Sequence, residues 1–184
     1  METTTSRQKS SKQNESVESL AARVRRLEDI EDIKYLLVRY AQGSDQQNDP
    51  DIMVPLFTEE AVFDVGSGYG TYVGHEAIRK FLEGAPNIIK WSLHFMISPL
   101  VEVAEDGRTA KVFCYLWEIA NMENRNGELE PVLIGGTYHN DAVKLANGEW
   151  KFSVVRLRME IMSPYYEGWV KRRFHDFGIP QSES

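Results

Sequence analysis

The sequence lacks the features that mark several large classes of protein. Cys114 is its one cysteine, so an intrachain disulfide is excluded, and no cysteines and histidines have the spacing of a zinc site. No apolar run approaches the roughly 18 residues of a membrane-spanning helix. The formal net charge of −7 gives no general attraction to nucleic acid or to an anionic membrane. These absences predict a cytoplasmic protein with neither nucleic acid nor a membrane among its partners.

Residues 1–16 contain no apolar residue after Met1. They therefore cannot supply the apolar region of a signal peptide or one face of an amphipathic transit helix. We predict a disordered tail here, because a segment without apolar side chains buries nothing that would offset the entropy of ordering it.

A long helix is predicted from Val17 to Gly43 by the period of its apolar residues. They recur every three or four positions, the spacing of one helical face, in the following set: Val17, Leu20, Val24, Leu27, Ile30, Ile33, Leu37, Tyr40 and Ser44. This pattern places Tyr40 in the core and Asp45 near the helix end, where Gly43 allows the chain to turn. In a continued helix, positions 40 and 45 would lie about 140° apart, so they converge only if the chain unwinds near Gly43.

The remaining elements follow a helices-first order. A short helix, a strand at 61–65, a short strand at Thr71–Val73 and a helix at 75–84 precede four long segments rich in β-branched and aromatic residues, at 88–103, 110–121, 132–145 and 150–162. Turn signals separate these four segments, which predicts hairpin-linked antiparallel strands. Helices followed by a meander indicate an α+β fold with helices packed on one face of a strongly curved sheet. The final stretch, 163–178, is predicted to be a short amphipathic helix or flap.

His94 is the most unusual of the four histidines. It lies in the middle of a predicted strand and shares one face with Ser92 and Met96. It is either a hydrogen-bonded core residue or a general base, the latter if it faces a cavity that also receives Asp45. In that arrangement the carboxylate would fix the tautomer of the imidazole and favour proton acceptance.

The other three histidines carry weaker expectations. His75 and His175 are expected to be exposed, and His139 is expected to be either solvent-facing or structural.

Further candidates lie on the later strands. Glu118 alternates with Leu116 and Ala120, so it either adds a second acid to the same interior or is a rim residue. Arg156 and Arg158 share a parity on the last strand and either bind an anionic substrate or face outward. Four apolar residues suggest an aromatic or steroid-sized guest: Phe63, Trp117, Leu133 and Tyr138.

Tyr40, Asp45, His94 and the order of helices before a meander resemble the SnoaL-like branch of the NTF2-like superfamily. The likeness covers about 27–162 and is strongest in DIEDIKYLLVRYAQGSD and WSLHFMISPLVEV. It implies a cone-shaped α+β barrel, in which a strongly curved antiparallel sheet has helices packed on its concave side. We expect one SnoaL-like domain over 17–175, followed by a flexible C-terminus at 176–184.

Within that branch the pattern is similar to bile acid 7α-dehydratase, γ-hexachlorocyclohexane dehydrochlorinase and scytalone dehydratase. The resemblance implies that Asp45 orients a His94 general base, with Tyr40 as a hydrogen-bond donor, and that Glu118 is the acid of the next strand. The predicted substrate-binding residues are Glu118, Tyr138, Phe63, Trp117 and Arg158.

The sequence departs from the pattern of this branch on the last strand, where those families carry a catalytic or binding arginine. In-phase alignment places Val155 and Met159 inward and leaves Arg156 and Arg158 on the opposite face, unless a β-bulge intervenes.

The predicted function is a lyase acting on a bulky cyclic or aromatic small molecule. The leaving group is expected to be water, with halide or formaldehyde as alternatives, and no metal or organic cofactor is expected. A ketosteroid-type isomerase, a polyketide cyclase and a non-catalytic binding module remain open on the same scaffold. By the same resemblance, we expect a homo-oligomer, with a trimer favoured.

Overall fold

The fold is taken from a computed structural model that describes residues 3–66 and 68–176, with side chains described from residue 17 onward. The helices are α1 (Thr3–Asp45), α2 (Pro50–Met53), α3 (Gly74–Gly84) and α4 (Gly168–Lys171). The strands are β1 (Phe57–Asp64), β2 (Thr71–Val73), β3 (Ile89–Val103), β4 (Thr109–Glu123), β5 (Leu129–Lys144) and β6 (Trp150–Pro164). Two single 3₁₀ turns, Val54–Leu56 and Ala85–Asn87, follow α2 and α3.

The six strands form one curved, open sheet in the order β2-β1-β6-β5-β4-β3. This confirms the predicted α+β fold with a strongly curved sheet and helices. Strands β3 to β6 form the predicted antiparallel meander, but β1 runs parallel to β6. Because no hairpin links β1 to β6, turn signals in the sequence gave no sign of this parallel pair.

The core lies on the concave face of the sheet. Alternate residues of β4 point into it and are buried, in the set Val112, Cys114, Leu116, Glu118 and Ala120. Helix α1 covers this face with Ile33, Leu36, Leu37 and Tyr40, all buried. Tyr40 makes edge-on ring contacts with Phe63, Tyr138 and Phe152, so the helix packs against β1, β5 and β6 at once.

The apolar stripe of α1 is divided between two sides of the helix. From Ile30 onward it faces the core, but Val17, Leu20, Val24 and Leu27 are exposed. Val24 and Ile33 are separated by nine residues, which at 100° per residue places them about 180° apart. The prediction of one continuous core-facing stripe is therefore wrong for its first four members, although every step was three or four residues.

Helix α1 begins at Thr3 rather than at Val17. Residues 3–16, for which we predict a disordered tail, are therefore helical in the structure. The physical reason is that neither glycine nor proline occurs before Gly43 to end the helix. Of the predicted flexible C-terminus, residues 177–184 lie outside the described residues.

Asp29 ties α1 to the β5–β6 hairpin. Its buried Oδ1 atom accepts hydrogen bonds from Lys144 Nζ at 2.6 Å and from Trp150 Nε1 at 2.9 Å. A charged donor and an indole N–H satisfy this carboxylate, which would otherwise be costly to bury.

Among the described helices, none combines the length and the apolar composition needed to cross a membrane.

Deletion of residues 1–16 should leave the melting temperature and the activity close to those of the full chain. This segment has no apolar side chain after Met1, so it has little to contribute to burial. Differential scanning calorimetry measures the effect. Asp29→Ala is the control that should destabilise by about 1–3 kcal/mol, because the indole N–H of Trp150 loses its acceptor. A drop of several degrees on deletion would show that the segment packs.

Candidate active site

The site begins at the last residue of α1, Asp45. The helix continues through Gly43, where the sequence would allow the chain to turn, as far as Asp45. It ends instead through Gln47 and Asn48, which have φ angles of 61° and 58° in the left-handed region. Gly43 has another purpose, since a Cβ atom there would lie 2.5 Å from Met53 Cγ. Glycine therefore allows α2 to pack closely against the end of α1.

The carboxylate of Asp45 joins this helix end to the middle of β3. Its Oδ1 atom accepts a hydrogen bond from the backbone N–H of His94 at 2.8 Å and lies 2.9 Å from His94 Nδ1. Because an ionised carboxylate only accepts hydrogen bonds, Nδ1 carries a proton in this contact. In the neutral form of the imidazole, the lone pair is then on the second ring nitrogen, Nε2.

Glu118 approaches His94 from the opposite side. The two residues are paired across β3 and β4, and Glu118 Oε2 lies 3.2 Å from His94 Nε2. Side-chain exposure falls from 27% at Asp45 to 9% at His94 and 5% at Glu118. The three groups thus form a line that leads from the surface into the interior.

Burial changes the chemistry of Glu118. It raises the pKa of this carboxyl above its ordinary value of 4.5, and the negative charge of Asp45 raises it further, against the opposing effect of His94. The second oxygen, Oε1, is buried and has no hydrogen-bond partner among the described residues. Glu118 therefore holds a proton more readily than an exposed glutamate and retains one unsatisfied oxygen in the interior.

Tyr40 and Tyr138 place two hydroxyl groups in the same interior. Their ring centroids are 5.8 Å apart, and the two phenols share a hydrogen bond. Burial, as the largest cause, raises the pKa of both phenols, and the charge of Glu118 adds to the effect. Both side chains consequently stay protonated and can act as hydrogen-bond donors.

The structure places six of the predicted site residues on the interior side of the sheet: Asp45, His94, Tyr40, Glu118, Tyr138 and Phe63. Trp117 and Arg158 face the convex side and are exposed, as is expected when neighbours in a strand alternate. Leu133 also points outward, because it pairs with Ile119 next to the inward pair of Ile134 and Glu118. The prediction that Trp117 and Leu133 line the interior is wrong, and Arg158 takes the outward orientation of the two that the sequence left open.

Arg156 and Arg158 lie outside the interior as the in-phase alignment of β6 predicts. Arg156 is held on the convex side by Asp64, with 3.2 Å between Nε and Oδ2, and Arg158 pairs with Thr137. The pairing of β5 with β6 is irregular at two places, between Gly135 and Gly136 beyond Arg158 and between Asp141 and Ala142 before Arg156. Between these two places β6 alternates regularly, with Val155 and Leu157 buried and Arg156 and Arg158 exposed. No last-strand arginine therefore contributes to the site.

Two histidines differ from the expectation of exposure. His175 is buried, with Nε2 2.9 Å from Glu130 Oε2, and its backbone N–H donates to the carbonyl of Met162. His75 is half-buried against the carbonyl of Phe57. The contact between His175 and Glu130 joins residues far apart in sequence, and nothing in the local pattern indicates it.

In the described residues, no group of histidine, cysteine and carboxylate side chains is arranged to hold a metal ion. Cys114 is buried on the concave face, and burial raises the pKa of its thiol to about 12. The arrangement instead offers an imidazole between two carboxyl groups and a pair of protonated phenols, which are groups suited to moving protons.

Comparison with protein families gives a match to the SnoaL-like domain over residues 25–156. The chain belongs to this family. A comparison with curated proteins returned no match.

Several solved structures share the fold of this SnoaL-like chain. A supposed aromatic ring hydroxylase from Novosphingobium aromaticivorans is 28% identical, with a TM-score of 0.65, over 77% of this chain and 96% of the other. A supposed scytalone dehydratase from the same organism is 21% identical, with a TM-score of 0.67, over 86% and 98%. Hexachlorocyclohexane dehydrochlorinase LinA-type3 from Novosphingobium barchaimii is 20% identical, with a TM-score of 0.68, over 77% and 92%.

Replacing Glu118 by glutamine should change how stability depends on pH. A carboxyl whose pKa is raised on folding stabilises the fold fully below its ordinary value of 4.5, and that contribution is lost as pH rises through the folded-state pKa. Glutamine resembles the protonated form and cannot ionise. The melting temperature of the parent should therefore fall relative to Glu118→Gln as the pH rises above 4.5.

Thermal unfolding followed by circular dichroism across this pH range measures the difference. Glu60→Gln, an exposed strand position, is the matched control and should track the parent at every pH. A constant difference between the parent and Glu118→Gln would contradict the raised pKa.

Proposed function

We propose that this protein is a cofactor-independent lyase that eliminates water from a bulky cyclic or aromatic small molecule. The observation that carries the proposal is the contact of His94 with a carboxyl group at each ring nitrogen, 2.9 Å to Asp45 and 3.2 Å to Glu118. A dehydration needs a base for the proton on carbon and an acid for the departing hydroxyl, and this arrangement supplies both.

The elimination begins when substrate separates Glu118 from His94 and exposes the lone pair of Nε2. His94 removes the proton from the carbon next to the one that bears the hydroxyl group. The electrons of that C–H bond form the double bond as the C–O bond breaks. Glu118, protonated because it is buried, gives its proton to the departing oxygen, and water leaves.

The contact between His94 and Glu118 then restores the starting state. After elimination the imidazolium carries one extra proton and the Glu118 carboxylate lacks one. Once the product leaves, the proton returns from Nε2 to Oε2 across their 3.2 Å contact. Asp45 stays ionised throughout and stabilises the imidazolium, so the cycle consumes no cofactor.

The two phenols bind the oxygen atoms of the substrate in this proposal. Tyr40 and Tyr138 stay protonated because burial raises the pKa of both, so either can donate to a developing oxyanion or to the departing hydroxyl. Phe63, in edge-on contact with Tyr40, adds an apolar wall. This mixture of aromatic rings and few donors suits a ring-shaped, mostly apolar guest.

The names of similar solved structures support an elimination. One is a supposed scytalone dehydratase and another is a hexachlorocyclohexane dehydrochlorinase. These two names denote loss of water and loss of hydrogen chloride, both from ring compounds. We favour water, because a hydroxyl is a poor leaving group and a protonated Glu118 is placed to assist it.

A ketosteroid-type isomerase is the alternative that uses the same base. It would return the proton from His94 to another carbon of the substrate and would need no separate acid for a leaving group. The second carboxyl, Glu118, is therefore the feature that favours a lyase over an isomerase.

We also propose that the chains associate as homotrimeric units through the convex face of the sheet. Large apolar side chains there are exposed, with Trp91 at 47%, Phe95 at 43%, Tyr115 at 53% and Trp117 at 38%. Such a patch on adjacent strands favours association over contact with water.

Asp45 and His94 should behave as one catalytic unit. His94→Ala and Asp45→Asn should each lower kcat by about 10²–10⁴-fold, the range for a positioned general base. Since Asp45 acts through His94, the double variant should be little worse than the worse single variant. Steady-state kinetics test this, with Asp49→Asn as a control outside the site. Full additivity of the two losses would show that the residues act separately.

The reaction class should be visible as a loss of mass. A panel of β-hydroxy carbonyl compounds and benzylic diols is incubated with the protein, and the masses of the products are measured by mass spectrometry. A lyase lowers the product mass by one water, whereas an isomerase leaves it unchanged. Glu118→Gln should slow elimination of a hydroxyl more than that of a halide in a matched substrate pair, because halide leaves without a proton.

The same panel identifies the role of Tyr40. If Tyr40 assists the leaving group, Tyr40→Phe should follow the pattern of Glu118→Gln. If Tyr40 instead stabilises an enolate, Tyr40→Phe should lower the rate by about the same factor for every substrate that shares the carbonyl. Unchanged mass with solvent deuterium in the product would replace the lyase by the isomerase.

A further inference from the structure

The N-terminal half of α1 carries apolar side chains that the domain does not use. Val17, Leu20, Val24 and Leu27 are exposed by 61%, 58%, 44% and 63%. We refer to these four residues as the outer stripe. They lie on the opposite side of the helix from Ile33, which is fully buried. Four large apolar side chains in one exposed row form a surface suited to contact with another helix.

The spacing of the outer stripe is that of a coiled coil. Its steps of three, four and three residues correspond to heptad positions a, d, a and d. Valine occupies both a positions, 17 and 24, and leucine occupies both d positions, 20 and 27. Among parallel coiled coils, a β-branched residue at a with leucine at d favours two strands.

Charges beside the outer stripe agree with a parallel orientation. In this register Arg23 is at position g and Glu28 is at position e, and both are exposed. In a parallel pair, position g of one helix faces the following position e of the other, so Arg23 of each copy meets Glu28 of its partner. In an antiparallel pair, g faces g and e faces e, and these opposite charges would not meet.

The outer stripe has a defined end at the domain. The next a and d positions are Glu31 and Lys34, whose side chains pair with each other at 2.7 Å. Beyond Leu27 the helix is held against the sheet by Asp29 and Ile33. The domain therefore maintains the helix before any partner arrives, and the pair does not bear the cost of helix nucleation.

We propose that the outer stripe joins two copies of this chain as a parallel, two-stranded coiled coil over 17–27. A second copy is the occupant because the charges are self-complementary, with Arg23 and Glu28 supplied by the same helix. This contact uses a surface separate from the convex face of the sheet. Pairing of helices and the proposed trimer together give an assembly of six chains.

The molar mass in solution tests the pairing. Leu20→Asp places a charge in the seam and should halve the mass measured by light scattering, whether the parent has six chains or two. Ser19→Asp adds the same charge at the neighbouring exposed position outside the seam and should leave the mass unchanged. A parent with an odd number of chains, or a Leu20→Asp variant of unchanged mass, would overturn the proposal.

Disulfide cross-linking tests the parallel register. Leu20→Cys places two thiols opposite each other only when equal positions meet, so mild oxidation should yield a covalent dimer. Glu18→Cys, at the outward position b, is the control and should give none. The native Cys114 is fully buried and does not compete. A monomeric Leu20→Cys chain after oxidation would overturn the parallel arrangement.

Charge exchange tests the contact between Arg23 and its partner's Glu28. Arg23→Glu and Glu28→Arg should each raise the dissociation constant of the pair several-fold, because each places like charges across the seam. The double variant should return the constant to near the parent value, since the attractive contact is restored in the reverse sense. A double variant as weak as the combined single losses would contradict the proposed register.

Discussion

The site depends on one carboxylate oxygen. Asp45 Oδ1 accepts the backbone N–H of His94 and also faces its ring Nδ1. The first contact fixes the strand to the end of α1, and the second fixes the orientation and the tautomer of the imidazole. Gly43, by allowing close packing of Met53, determines where the helix end lies. The position of His94 and the protonation of its ring therefore both depend on Asp45, and removing this carboxylate would disturb both.

Burial gives the two acids of the site different roles. Both contact the same imidazole, yet Asp45 is more than a quarter exposed while Glu118 is almost completely buried. Desolvation opposes ionisation, so it raises the pKa of Glu118. Two carboxyl groups whose environments differ in this way can serve as a stable anion and as a proton donor. The different burial of these two carboxyl groups thus allows Glu118 to act as the acid, while Asp45 supports His94 as the base, and an elimination requires both functions.

Alternation and helical period predicted most of the site, and their failures have physical causes. The face shared by Ser92, His94 and Met96 was correct, and so was the inward position of Glu118. The inward position predicted for Trp117 was wrong because its apolar character was given more weight than its place in the alternation, although neighbours on a strand point to opposite faces. The outer stripe was misplaced because steps of three and four accumulate a rotation that step size alone does not reveal. The burial of His175 depends on a contact distant in sequence, which no local period contains.

Helix α1 carries both the outer stripe, which is proposed for assembly, and Asp45, which belongs to the candidate active site. Its rise of 1.5 Å per residue places Leu27 about 27 Å from Asp45 along the axis. Between them Asp29 and Ile33 fix the helix to the sheet. A structural change caused by a substitution in the outer stripe is therefore not expected to extend to Asp45. The chain contains neither glycine nor proline between these anchors and Gly43 at which the helix could bend. Assembly through the outer stripe and proton transfer at His94 can therefore be altered one at a time.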